Sequence, residues 1–169
     1  MFDISIDFDN INISSILTSD ILDIQKWFNY QQSRDYGNQM PQGIRDFYNR
    51  FLEYYTSENE FFLKIKKDNE LLGIVKGRFE FKSINEVWIS CFILDDAYRN
   101  KGIGSKIINE LKKHFLEKYG INILYIMIVD GNKLMEKFWI KSGFDFQRMV
   151  KDYYDFDGFK ANMLIYKYE

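Results

Sequence analysis

The segment from Tyr98 to Gly104, Tyr-Arg-Asn-Lys-Gly-Ile-Gly, is the part of this 169-residue chain whose residue types and spacing point most directly to chemistry. It lies between an apolar run, residues 87–94, and an amphipathic stretch, residues 103–119. Gly102 and Gly104 lack a Cβ atom, so the backbone can turn sharply there and approach a ligand closely. The first turn of a following helix would add unpaired N–H groups and the positive end of the helix dipole. The segment therefore predicts a site for a phosphate-bearing ligand, although an ordinary turn into a helix has the same pattern of glycines.

Composition excludes several other kinds of site. The 23 basic and 25 acidic residues give a net charge of −2, which offers no bulk electrostatic reason to bind nucleic acid or an anionic membrane. Cys91 and His114 are the only residues of their types, which excludes an intramolecular disulfide and cysteine or histidine metal clusters. No apolar run approaches the ~20 residues that span a bilayer, and the first residues do not have the pattern of a signal peptide. We expect a cytoplasmic protein that binds a ligand without a metal.

The elements that must position this segment follow from hydrophobic periodicity and turn residues. The predicted order is β-α-α-β-β-β-α-β-α-β-β, with a meander of three antiparallel strands followed by a β-α-β crossover. This order implies a mixed sheet with helices on both faces. Strands are predicted at residues 2–8 and 11–13 (one or two strands), 61–65, 71–81, 86–94, 123–129, 146–153 and 161–168, and helices at 21–28, from Pro41 to 55, 102–120 and 132–142.

Two motifs on this order of elements resemble the GNAT superfamily of N-acetyltransferases. The family motif Q/R-x-x-G-x-G/A matches Arg99 to Gly104. A later segment, in which an asparagine precedes an aromatic residue and a Gly-Phe pair, matches Asn132, Trp139 and Gly143-Phe144. The resemblance covers about residues 11–168. It implies a single GNAT-like domain over residues 1–169 with an α/β fold, in which a mixed, mostly antiparallel sheet of six to seven strands is flanked by about four helices.

The resemblance also implies acetyl-CoA as the co-substrate and places it on particular residues. The end of the strand before the loop is expected beside the pantetheine arm, the backbone N–H groups of the loop on the pyrophosphate, and the Arg99 side chain as the group that orders the loop. Lys101 is either a solvated surface lysine or, with Lys106, a contact to the nucleotide 3′-phosphate. The expected cofactor-binding residues are Phe92, Ile93, Leu94, Arg99, Asn100, Lys101, Gly102, Ile103, Gly104, Ser105, Asn132 and Phe138.

Residues of the later motif carry alternative interpretations. Asn132 can hydrogen-bond the cofactor arm, cap the helix that follows, or do both. Phe138 and Trp139 have the helical spacing of core residues, and the alternative is that one of these rings lines the thioester pocket.

The chain departs from the family pattern where proton transfer is concerned. Trp139 stands where many relatives have a tyrosine that protonates the leaving thiolate, and apolar Met127 stands where a glutamate is frequent. The remaining catalytic candidates are Glu86, which begins the strand leading to the motif, and Tyr153, near the last hairpin.

The resemblance predicts an acetyl-CoA-dependent N-acetyltransferase that moves an acetyl group directly to a primary amine. A small-molecule amine is favoured as acceptor, and a protein N-terminus or lysine is the alternative. The missing tyrosine and glutamate leave a non-catalytic acyl-CoA-binding module of the same fold as a third interpretation. Beyond the amine acceptor we expect no nucleic-acid or membrane partner, and exposed aromatic strands near the C-terminus make a homodimer conceivable.

Overall fold

The computed structural model describes residues 2–36, 43–156 and 159–169. Within these ranges eight strands form one sheet and four α-helices accompany it. The strands are β1 (Ser5–Phe8), β2 (Ile11–Ser15), β3 (Glu60–Lys67), β4 (Glu70–Glu80), β5 (Glu86–Leu94), β6 (Ile123–Val129), β7 (Asp145–Phe156) and β8 (Phe159–Tyr168). The helices are α1 (Ile21–Tyr36), α2 (Ile44–Thr56), α3 (Ile103–Tyr119) and α4 (Lys133–Lys141).

The sheet has the strand order β1-β2-β3-β4-β5-β6-β8-β7. The β5–β6 pair is parallel, and the β1–β2, β2–β3, β6–β8 and β7–β8 pairs are antiparallel. The predicted mixed α/β class is therefore confirmed. The parallel pair needs a crossover connection, and α3 is the helix between the two strands.

The predicted count of six to seven strands is wrong, because the first apolar segment forms a hairpin. Asp9 and Asn10 have φ values of 43° and 63°, the left-handed conformation that a two-residue hairpin turn requires. Short polar side chains tolerate this conformation better than other non-glycine residues do. β1 therefore folds back on β2, with Phe8 opposite Ile11, and β2 pairs with β3.

The predicted break between the strands at 61–65 and 71–81 and the predicted helix end at residue 120 are confirmed. Asp68 and Asn69, with φ values of 48° and 69°, make the turn between β3 and β4. Gly120 ends α3 with φ 65°, and its N–H donates to the Leu116 carbonyl. The predicted helix start near Pro41 lies outside the described residues.

The chain divides into two compact units. The first comprises Met1–Gly77 and Cys91–Arg99. One cluster of its core comes from α1, α2, β3, β4 and the segment after β2, and comprises Ile16, Ile21, Ile24, Phe47, Phe51, Phe62 and Ile74. Partly buried side chains pack against this core, among them Trp27, Phe28, Tyr54, Cys91 and Ile93.

The second unit comprises Arg78–Ser90 and Asn100–Glu169. The amphipathic pattern of residues 103–119 predicts an apolar stripe of Ile103, Ile107, Ile108, Leu111 and Phe115, of which the last four are buried there and Ile103 is half-buried. The Phe115 ring packs edge-on against Phe79, with 5.5 Å between ring centroids. None of the helices in the described ranges is long and apolar enough to cross a membrane. The single domain over residues 1–169 stays a prediction.

A lysine of α3 closes the end of α4 in the second unit. The Lys112 ammonium donates to the Ser142 carbonyl and lies 3.6 Å from the centroid of the Tyr168 ring and 4.9 Å from that of Phe144. A cation that binds the last carbonyls of a helix complements the negative end of its dipole. Burial nevertheless lowers the pKa of Lys112 from 10.5 to about 8.

This pKa predicts a pH dependence of stability. Below pH 8 the Lys112 amine is charged in both states, and the folded protein carries the full cost of burying the charge. Between pH 8 and 10.5 the unfolded chain binds more protons than the folded one, so this lysine's contribution to the free energy of unfolding rises with pH. Urea titrations of wild type and Lys112→Met should show wild type gaining relative to the variant over this range. A parallel pH response of the two proteins contradicts the prediction, and Lys113→Met, at an exposed neighbour, is the control.

Candidate active site

The connection between β5 and α3 is closed by its own side chains. The Arg99 guanidinium donates through Nε to the Leu94 carbonyl, at 2.9 Å, and pairs through Nη1 with Asp96 Oδ1, at 2.7 Å. The Asp95 carboxylate accepts the Ala97 N–H at 2.9 Å. These contacts bring the end of β5 and Arg99 together, as expected of a side chain that orders the loop.

The N-terminus of α3 has the geometry of an anion site. Asn100 (φ 60°) and Gly102 (φ 77°) both adopt the left-handed conformation, and Gly102 is the N-cap. No side chain caps this end of the helix, and its first turn contains no acidic residue. The N–H groups of Ile103, Gly104 and Ser105 belong to the turn in which helices lack internal acceptors.

The space above this turn also suits a bulky anion. A Cβ atom placed on Gly102 would meet no heavy atom within 4 Å. Asn100, Lys101 and Lys106 are exposed, whereas Gly104 is buried under the turn. The residues present therefore fit a pyrophosphate. Its oxygens would accept hydrogen bonds from the backbone N–H groups, and Lys101 and Lys106 would add positive charge.

The last residues of β5 meet two different surroundings. Phe92 and Ile93 are half-buried, Ile93 packs against the core of the first unit, and Leu94 is buried. The register of β5 with β6 runs from Glu86 opposite Ile123 to Ile89 opposite Ile126. β5 then continues for five residues to Leu94, in the part of the strand that is expected beside the pantetheine arm.

The first turn of α4 confirms one of the two interpretations of Asn132. Its Oδ1 accepts the Met135 N–H at 3.2 Å, so Asn132 caps the helix. The contact between Asn132 and the cofactor arm stays a prediction.

The two rings of α4 differ in burial. Trp139 is 2% exposed and packs edge-on against Phe144, with 5.0 Å between centroids, which confirms a core position. Phe138 is half-buried and contacts Trp139, so it is the ring that stays available as a candidate for the thioester pocket.

The catalytic candidate Glu86 is part of a polar network. Its Oε1 accepts the Trp88 indole N–H at 2.9 Å and the Lys82 ammonium at 3.1 Å. The Trp88 ring in turn stacks on Tyr125, with centroids 4.6 Å apart. Glu86 starts β5, at the end of the strand opposite to the loop. Its role in catalysis stays a prediction.

Tyr153, the other catalytic candidate, lies in β7 and is 48% exposed. The register between β7 and β8 shifts between Val150 and Tyr154, which places this tyrosine at an irregularity of the strand. Its role also stays a prediction.

Sequence reasoning missed Lys76, a half-buried lysine of the first unit. Its ammonium lies 4.2 Å from the ring centroid of Phe62, 5.2 Å from Tyr54, 5.7 Å from Phe47 and 5.9 Å from Phe28. Burial lowers the pKa of Lys76, while the Cys91 thiol opposes this shift and Arg50 adds to it. The available signal was a lysine that directly follows the apolar pair Ile74-Val75 within a predicted strand.

Sequence reasoning also missed a pair at the start of α4. Tyr166, 4% exposed, hydrogen-bonds Glu136, which pairs with Lys133 at 3.0 Å. Burial, and then the charge of Glu136, raise the pKa of the Tyr166 phenol. A tyrosine near the end of the chain carried no motif that could connect it to a helix thirty residues earlier.

Comparisons with known proteins agree with this geometry. The family model of the acetyltransferase (GNAT) domain matches residues 13–165, and the chain belongs to this family. A spermine/spermidine N(1)-acetyltransferase of Bacillus subtilis is 31% identical over 75 residues, which are 44% of this chain and 47% of that protein. The chain therefore spans about half the length of the curated relatives it matches.

Solved structures share the fold over nearly the whole chain. The spermidine N-acetyltransferase from Vibrio cholerae, in complex with CoA and spermine, superposes with a TM-score of 0.77 at 12% identity, over 95% of each chain. RimL, a ribosomal L7/L12 alpha-N-protein acetyltransferase in complex with coenzyme A, superposes with a TM-score of 0.75 at 14% identity, over 95% of this chain and 94% of that chain. At these identities the likeness establishes the fold.

Proposed function

We propose that this protein is an acetyl-CoA-dependent N-acetyltransferase that transfers the acetyl group directly to a primary amine. The observation that carries the proposal is the uncapped, glycine-led N-terminus of α3, preceded by a loop that Arg99 closes. Backbone N–H groups at this position suit the pyrophosphate of acetyl-CoA. The family membership supports the same reaction class.

Direct transfer makes modest demands on the protein. The amine nitrogen, once deprotonated, attacks the thioester carbonyl, the C–S bond breaks, and the proton lost by the amine can reach the thiolate through solvent. A thiolate is a good leaving group, so the reaction does not require the tyrosine that Trp139 replaces. Glu86, Tyr153 and the Tyr166–Glu136 pair are the candidates for proton transfer.

A small amine is the favoured acceptor. The partial likeness to the spermine/spermidine acetyltransferase of Bacillus subtilis and the fold shared with the spermidine enzyme of Vibrio cholerae support this choice. The fold shared with RimL supports a protein N-terminus as the alternative.

The test measures release of free thiol from acetyl-CoA in the presence of a panel of amines: spermidine, amino acid amides and short peptides. We expect amine-dependent thiol release with at least one of them, and a rise in melting temperature with CoA alone. CoA-induced stabilisation without turnover of any amine would instead favour a non-catalytic acyl-CoA-binding module. If CoA does not stabilise the protein and no amine is turned over, both interpretations are contradicted.

A further inference from the structure

Two buried polar atoms of α1 have no hydrogen-bond partner among the described residues: the Gln31 amide oxygen and the Trp27 indole N–H. Gln31 is 1% exposed, so its oxygen cannot turn to bulk water. Buried acceptors and donors are almost always paired, because an unpaired one has lost its bonds to water without replacement. A ligand that pairs both atoms would remove this cost.

The direction of the Gln31 amide is fixed by its neighbour. Its Nε2 group donates to Asp95 Oδ2 at 2.7 Å. An ionised carboxylate only accepts hydrogen bonds, so the NH₂ end of the amide must face Asp95. The Oε1 atom therefore points away from Asp95 as an acceptor.

The two atoms lie beside the end of β5. Asp95 directly follows Leu94, and Trp27 packs against the same core as Ile93. Trp27 and Gln31 are four residues apart on α1 and so share one face, about 6 Å apart along the helix axis. A donor and an acceptor thus stand next to the residues that are expected beside the acyl arm of acetyl-CoA.

We propose that Gln31 and Trp27 recognise the acceptor, and that this acceptor carries a carbonyl or carboxylate oxygen next to its amine. The amine N–H donates to Gln31 Oε1, and the neighbouring oxygen accepts the Trp27 indole N–H. This inference rests on the proposed acetyltransferase function. The chemistry is that of an α-aminoacyl group, as in an amino acid derivative or the N-terminus of a peptide.

A linear polyamine fits this pair less well. Its amines can donate to Gln31, but its protonated nitrogens and methylene groups offer nothing that accepts from Trp27. Four aromatic rings of this unit, Phe28, Phe47, Tyr54 and Phe62, already surround the ammonium of Lys76. The Lys76 ammonium would repel a further cation at these rings.

Trp27→Phe tests the donor, because it removes the N–H and retains an aromatic ring. Steady-state kinetics compare three acceptors: alaninamide, a peptide with N-terminal alanine, and spermidine. Loss of one hydrogen bond predicts a fall in kcat/KM of about tenfold for the two α-aminoacyl acceptors and little change for spermidine. Turnover of alaninamide alone indicates a free amino acid derivative as the acceptor. Turnover of both alaninamide and the peptide indicates that a chain terminus is also accepted.

Asp95→Asn tests the acceptor by turning the Gln31 amide round. The Ala97 N–H holds the Oδ1 atom of residue 95, so the new NH₂ group faces Gln31, whose oxygen then accepts from it. The Gln31 NH₂ group is left facing the acceptor, and kcat/KM should fall about tenfold for every amine. Asp145→Asn, at an exposed position at the start of β7, is the matched control and should be unchanged.

The outcomes separate this proposal from the proposed function. Amine-dependent thiol release that Trp27→Phe lowers equally for all acceptors, or leaves unchanged for all, overturns the recognition by Gln31 and Trp27 and leaves the acetyltransferase standing. Turnover of spermidine without turnover of either α-aminoacyl acceptor does the same. Absence of thiol release with any amine overturns both. Melting curves with and without CoA verify that each variant is folded.

Discussion

Gly73→Ala is expected to destabilise the protein by about 3 kcal/mol or more, at the upper end of the cost of overpacking a core. A Cβ atom on Gly73 would lie 2.4 Å from the Ile93 carbonyl oxygen, 2.8 Å from Leu94 Cδ2 and 3.4 Å from Ile65 Cδ1. Leu94 can change rotamer, but the carbonyl oxygen belongs to the backbone of β5. The strand itself must therefore move to admit one methyl group.

Thermal and urea unfolding of Gly73→Ala measure this effect, with Gly43→Ala as the control. A Cβ atom on Gly43 would meet only Asp46 Oδ2, at 3.6 Å. Gly43 is the N-cap of α2, so its replacement should cost about 1 kcal/mol or less. Equal melting of the two variants would contradict the close approach of Gly73 to Ile93.

The contact of Gly73 with Ile93 also links stability to ligand binding. Ile93 and Leu94 are predicted to lie beside the pantetheine arm. A displaced β5 should therefore weaken CoA-induced stabilisation in any Gly73→Ala protein that folds, an effect that Gly43→Ala should not share.

Features set by a few neighbouring residues could be predicted from the sequence. The turn at Asp68-Asn69, the start of α3 at Gly102 and its end at Gly120 depend on which residues tolerate left-handed φ. The shared face of Glu86 and Trp88 follows from strand alternation, and their side chains do meet. In each case the residues that determine the feature lie within a few positions of one another in the sequence.

Features that join distant parts of the chain could not be predicted. The bond from Gln31 to Asp95 spans 64 residues, and nothing near either residue signals it. The rings around Lys76 come from α1, α2 and β3, so their helical and strand spacing indicated only a core. The close contact of Gly73 with Ile93 could not be predicted for the same reason, because a glycine in an apolar run does not indicate which strand lies beside it.

Gly102→Ala should weaken CoA binding about tenfold or more, a loss of roughly 1.4 kcal/mol or more in binding free energy. The new methyl group would stand where a Cβ atom meets no protein atom within 4 Å, which is the space assigned to the pyrophosphate. It would also strain the backbone, because residue 102 has φ 77°. Isothermal titration with CoA, and the melting-temperature shift that CoA produces, measure the loss.

Gly120→Ala separates the strain from the lost binding. Gly120 has φ 65° at the other end of α3, and a Cβ atom there also meets nothing within 4 Å. Both alanines should therefore cost about 1–2 kcal/mol of stability through the left-handed conformation alone. The two variants lie at the ends of the same helix and carry the same backbone strain. If only Gly102→Ala lowers the affinity for CoA, the loss must therefore arise because its methyl group occupies the space above the first turn. Equal CoA affinities of the two variants would contradict pyrophosphate binding at this loop, and would also contradict the role assigned to residues 99–105.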